Sequence, residues 1–198
     1  MTVGRAARGA LEGVSAGRAA LLVIDIQDRL TAVMPPAIVE SCLKHTLVLL
    51  EAARRLRLPV VVSEQYPKGL GPTASALGPA LAALPAEQLH RLDKLDFSAA
   101  ATPELSALLP RLGRDQWILV GMETHVCVLQ TARDLVRREL AVHVVADAVV
   151  SRSKANFRVG IEQMRAMGAT ISSMETVVFD LLIRAGGEDF KALSKLLR

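Results

Sequence analysis

The stretch QWILVGMETHVCVLQTARDL, residues 116–135, decides the fold. Trp117 to Val120 form a short apolar run closed by Gly121, the pattern of a strand buried on both faces. From about His125 the apolar residues change to helical spacing and continue to Glu139. A buried strand that feeds directly into a helix is the repeating unit of a parallel α/β sheet.

The same unit recurs on either side. Upstream, ALLVIDI (Ala20 to Ile26) reads as a buried strand, followed by a helix from about Ala37 to Arg57 with Pro35 and Pro36 at its start. PVVVS (Pro59 to Ser63) is a second strand. A long loop, Glu64 to Pro79, carries YPKGLGPT, and long loops inside small domains are often functional. Leu89 to Lys94 is a short strand candidate, and a helix follows over about Pro103 to Leu112. Downstream, AVHVVA (Ala141 to Ala146) is a strand, with a helix near Lys154 to Met167. Ala169 to Ser173 is a last short strand, then a helix runs through Leu182 and a terminal helix spans 189–198. The pattern predicts one α/β domain over residues 19–198, three layers deep, with a mostly parallel sheet of about six strands covered by helices on both faces (Rossmann-like). Residues 1–18 show no apolar core of signal-peptide type and read as a flexible N-terminal tail.

Composition fits this reading. Of 198 residues, 51% are hydrophobic and only 3% aromatic, so the core is built from Ala, Leu and Val. The net charge of +4 is small and dispersed. With one Trp and one Tyr, the sequence lacks the basic face and stacking residues of a nucleic-acid binder. No apolar run has transmembrane length. The two cysteines, Cys42 and Cys127, lie in unlike contexts without a C-x-x-C pair, which predicts free thiols in a reducing, cytoplasmic setting.

In parallel sheets chemistry gathers at the carboxyl ends of strands, near a reversal of strand order. That rule singles out Asp25, Ser63 to Gln65, Lys94 and Gly121 to Cys127. Asp25 closes an apolar strand, where a carboxylate needs pairing or a pocket; a loop-bonding structural Asp fits the position equally well. Lys94 alone is an ordinary lysine. Cys127 falls in the first turn of its helix, where backbone N–H groups would lower a thiol pKa, although a buried core cysteine is the commoner case. Cys42, on the apolar helix ESCLKHTLVLLEAARRL, shows no sign of activation.

As an ordered set, LLVIDIQDRL around Asp25, KLDFSA after Lys94 and VGMETHVCVLQTARDL around Cys127 resemble the isochorismatase-like cysteine hydrolases. VVADAVVSR and GATISSMETVVFDLL extend the resemblance over about Ala20 to Phe179. Within that family, SEQYPKGLGPT is most similar to the isochorismatase domain-containing subgroup. The resemblance implies a catalytic triad. Cys127 attacks a carbonyl carbon to form a thioester, Asp25 shuttles the proton and Lys94 supports the pair electrostatically. It further implies a cis peptide at Met122–Glu123, with the backbone N–H groups of Glu123 and Cys127 as an oxyanion hole.

The resemblance has a limit. The nicotinamidase branch carries an Asp-x-His metal motif after its second strand, and here Gln65 and Pro67 stand at those positions. No metal and no cofactor are therefore expected, and neither nicotinamidase nor isochorismate hydrolysis is expected. Gln65, Phe97, Leu30 and Tyr66 are candidate substrate contacts, each of which ordinary packing also explains. The implied activity is hydrolysis of an amide or related C–N or acyl bond in a small molecule, by a homo-oligomer. A thiol redox sensor and a catalytically idle oligomeric member of the family are the competing readings.

Overall fold

The computed structural model describes residues 13–197. Six strands form one sheet: β1 (Ala19–Ile24), β2 (Val60–Gln65), β3 (Leu89–Lys94), β4 (Gln116–Met122), β5 (Ala141–Val150) and β6 (Thr170–Ser172). All neighbours pair in parallel, in the order β3-β2-β1-β4-β5-β6. The chain winds outward from β1 in one direction and resumes at β4 in the other. The strand order thus reverses between β1 and β4, the position at whose carboxyl ends parallel α/β sheets gather their chemistry.

Six longer helices cover the sheet: α1 (Pro36–Leu56), α2 (Pro103–Leu112), α3 (Leu129–Arg137), α4 (Lys154–Ala166), α5 (Met174–Leu182) and α6 (Gly187–Leu196). Alternate residues of β1 enter opposite cores, as a strand period of two requires. Leu21 and Val23 pack with Leu49 and Leu50 of α1, Val177 of α5 and Leu193 of α6. Ala20, Leu22 and Ile24 pack with Leu105 of α2, Leu135 of α3 and Met164 of α4. Three helix starts are capped by side chains. Thr102, Ser153 and Ser173 accept from backbone N–H groups of α2, α4 and α5, each such cap contributing about 1 kcal/mol. Among the described residues no helix is long and apolar enough to cross a membrane.

The single-sheet, three-layer architecture matches the sequence expectation, with local differences. β1 ends at Ile24 because Asp25 turns into the left-handed region, φ 51. The expected loop over 64–79 is shorter and more ordered. β2 runs on to Gln65, and helical turns follow at Pro67–Leu70, Ser75–Leu77 and Gly78–Ala82. β5 extends to Val150, four residues past the expected end, after a bulge in its register with β4. Of the tail expected over 1–18, residues 1–12 lie outside the described residues. Residues 13–18 are tied down: Val14 N donates to Asp180, Ser15 N to the Gln116 side chain, and Arg18 forms a two-pronged pair with Asp115.

Gly121 sits at the centre of this construction. Its φ is +119, and a Cβ there would lie 2.0 Å from the Ile24 carbonyl oxygen. Only glycine lets β4 cross so close to β1, immediately before the loop that carries Cys127. Gly121→Ala should therefore cost about 3 kcal/mol or more of stability, read as a lowered denaturant midpoint. An unchanged midpoint would contradict this packing.

Candidate active site

Three candidate residues gather at the carboxyl edge of the sheet. Asp25 follows β1, Lys94 ends β3, and Cys127 lies beyond β4. Lys94 Nζ is 2.7 Å from Asp25 Oδ2, with both side chains fully buried. Ser63, on β2 between them, donates its hydroxyl to Asp25 Oδ1 at 2.7 Å. The Lys94 ammonium also donates to Gln65 Oε1 at 2.6 Å and to the carbonyls of Asp96 and Phe97 at 3.2 and 3.1 Å. A buried ion pair survives only when its remaining donors and acceptors are satisfied, and these contacts supply that condition.

The Cys127 thiol lies within interaction range of both charges. The peptide Met122–Glu123 is cis, as the resemblance implied. The first turn bearing Cys127 is not α-helical. Thr124–Val128 forms a π turn, and α3 begins only at Leu129. α4 packs tightly against this turn because Gly160 has no side chain: a Cβ there would sit 3.0 Å from the His125 Cα. The residues flanking Cys127 have partners beyond the end of β5. Glu123 accepts from Arg152 N at 3.0 Å, and His125 Nδ1 lies 3.0 Å from Ser151 Oγ.

The electrostatics correct one sequence expectation. The thiol is not lowered. Burial, reinforced by the negative Asp25 and opposed by Lys94, pushes Cys127 up to about 12. Burial also raises the Asp25 carboxyl, against the opposing pull of Lys94 and hydrogen bonds from Ser63 and Cys127. The turn's N–H groups and one ammonium do not outweigh desolvation beside a carboxylate. The resting site therefore holds a protonated thiol beside a carboxyl group of increased basicity. Cys42 is likewise pushed up to about 12 by burial, with its Sγ 3.2 Å from the Ala148 carbonyl oxygen.

The candidate substrate residues fare differently. Gln65 does not present a free amide, since its Oε1 takes the Lys94 bond and its Nε2 donates to the Leu95 carbonyl at 2.9 Å. Leu30 packs against the core that includes α1. Phe97 and Tyr66 are about half exposed, and Tyr66 takes a left-handed φ of 39 before the Pro67 turn. Sequence reasoning gave no role to Ser63 or to Gln27. Gln27 is fully buried and bonds to Gln65 and Gly71. The spacing Asp25-x-Gln27 beside Ser63-x-Gln65 was the available signal: polar residues two apart, where apolar strands end.

Fold and site together define a parallel α/β protein of hydrolase type. The chain belongs to the isochorismatase family: the Isochorismatase domain matches residues 19–176. It is 38% identical over 195 residues to isochorismatase domain-containing protein 2 of Bos taurus, covering 98% of this chain and 89% of that protein. It is also 38% identical over 185 residues to the secreted isochorismatase effector Isc1 of Phytophthora sojae, covering 90% and 83% of the two chains. Among solved structures, one described as the MAR1 ribonuclease of Caenorhabditis elegans superposes with a TM-score of 0.85 at 36% identity, covering 93% and 92%.

The two raised thiols have a consequence for stability. In the unfolded chain they ionise near the ordinary 9.0, in the folded protein near 12. The folded protein then retains protons that the unfolded chain releases, so stability falls as pH rises through that interval. Unfolding midpoints should decline over it, and Cys42→Ala should start lower but decline less steeply. A slope unaffected by the substitution would contradict the assignment.

Proposed function

We propose that the protein hydrolyses an amide or related C–N or acyl bond of a small molecule through a thioester on Cys127, without a metal. The observation that carries this reading is the buried Asp25–Lys94 pair at 2.7 Å with the Cys127 thiol beside it.

Because the thiol rests protonated, deprotonation accompanies attack. Sulfur bonds to the carbonyl carbon while the thiol proton passes to Asp25. The backbone N–H groups of Glu123 and Cys127 receive the developing oxyanion. As the C–N bond breaks, Asp25 returns the proton to the departing nitrogen, leaving a thioester. Water then attacks the thioester and gives a proton to Asp25. The Cys127 thiolate departs and is reprotonated, so the balance is amide plus water to acid plus amine. Lys94 keeps the carboxylate competent in its apolar surroundings and steadies the sulfur as negative charge builds.

The donor set at the second strand supports a mechanism free of metal. The Gln65 amide is committed to Lys94 and Leu95, and Pro67 has no side-chain donor. A homo-oligomeric assembly belongs to the same reading, supported by exposed apolar side chains such as Val33, Leu95 and Ile183. Cytoplasmic residence is supported by the two unpaired cysteines; the oomycete relative is, by its name, secreted.

Two measurements test the reading. Trace iodoacetamide should label Cys127 at least about tenfold faster than Cys42, because Asp25 beside Cys127 can take its thiol proton as the sulfur attacks, and more slowly in Lys94→Ala. Equal slow labelling would favour an idle fold. Turnover on a panel of small amides, with an RNA substrate alongside, should be confined to the amides and abolished in Cys127→Ala. Its acid limb should lie above the ordinary carboxylate value, because burial raises Asp25. Cleavage of RNA that survives Cys127→Ala would overturn the proposal.

A further inference from the structure

Gln65 ends β2 with every polar atom engaged inside the protein. Its side chain joins Lys94 Nζ to the Leu95 carbonyl. Its backbone is gripped by Gln27: Gln27 Oε1 accepts from Gln65 N at 2.8 Å, and Gln27 Nε2 donates to Gln65 O at 3.0 Å. A second bond from Nε2 reaches Gly71 O at 2.6 Å. A donor and an acceptor offered to one residue are what an adjacent strand provides. The chain leaves the line of β1 at Asp25, whose φ is 51. The Gln27 amide thus replaces the missing backbone ladder and holds the end of β2 in register.

We infer that Gln65 is a positioning residue for Lys94, itself held in place by Gln27, and that it keeps the ammonium directed at Asp25 and Cys127. This rests on the triad reading above and deepens it. A lysine ammonium carries three N–H donors on a flexible four-carbon stem. Its two shortest contacts here are Asp25 Oδ2 at 2.7 Å and Gln65 Oε1 at 2.6 Å; the other acceptors are carbonyls of its own following loop at 3.1 and 3.2 Å. Without Gln65, those carbonyls alone oppose the carboxylate in fixing the head group. The choice of an uncharged acceptor also matters. A carboxylate at this position would compete with Asp25 for the ammonium and oppose ionisation of Asp25.

The test uses the intact protein and follows carbamidomethylation of Cys127 across the acid limb of its pH profile. Wild type is compared with Lys94→Ala, Gln65→Leu and Gln65→Glu, with unfolding midpoints measured alongside. Gln65→Leu should slow labelling about tenfold, the order expected when a hydrogen bond to a buried charge is lost. It should also move the acid limb upward, because a displaced ammonium no longer offsets the burial of Asp25. Gln65→Glu keeps the acceptor and so keeps more of the rate, yet it too should move the limb upward. It carries the test if Gln65→Leu fails to fold. A wild-type rate and acid limb in Gln65→Leu, or an unmoved limb in Gln65→Glu, with Lys94→Ala slowed, would overturn the positioning role and leave the triad standing. Wild-type behaviour in Lys94→Ala itself would overturn both.

Discussion

A carboxylate and an ammonium held 2.7 Å apart, both closed off from water, constrain the whole carboxyl edge of the sheet. Removing two such ions from solvent costs several kcal/mol each, and their mutual attraction offsets that only when every other polar atom around them is satisfied. Ser63 completes the carboxylate. Gln65 and the carbonyls of Asp96 and Phe97 complete the ammonium. The polar residues at the ends of β1, β2 and β3 can thus be understood as one network. Its members lie far apart along the chain and meet because parallel neighbours finish at the same level of the sheet.

The same constraint bears on the ionisation of the Cys127 thiol. In so dry a place a free thiolate beside Asp25 is unfavourable, and burial drives the thiol to about 12. In the mechanism proposed above, the base is a carboxyl raised by burial, and the sulfur is not ionised at rest. Proton transfer and attack are one event in that proposed mechanism. Gly121 makes the approach of β4 possible, and Gly160 lets α4 lie against the π turn that carries Cys127. Backbone proximity, more than helix-end polarity, places the sulfur.

Much of this was legible in the amino-acid order. The runs ALLVIDI, PVVVS and QWILVG are continuous and apolar because their strands are covered on both faces, so sheet type and layering follow from them directly. Asp25, Lys94 and Cys127 were legible as strand-end residues, and the structure gathers them. Less was readable where a residue's task depends on partners remote in sequence. Gln65 looked like a substrate contact because nothing local reveals that Lys94 takes its oxygen. The roles of Ser63, a strand-end residue, and of Gln27 are hidden for the same reason. The thiol's ionisation was misjudged because helix-end position is visible in a sequence whereas depth of burial is not. The π turn at Thr124–Val128 likewise follows from tertiary packing against α4 and leaves no mark on local periodicity.

The central claim is that Asp25 and Lys94 act on one another, dry and in contact, within the folded protein. A double-mutant cycle on stability measures that coupling most directly, using Asp25→Asn, Lys94→Met and the pair together. Each single change strands one buried charge and should cost about 3–5 kcal/mol. The double change strands neither and should cost far less than the sum. Losses in the single variants that simply add in the double variant would contradict the account.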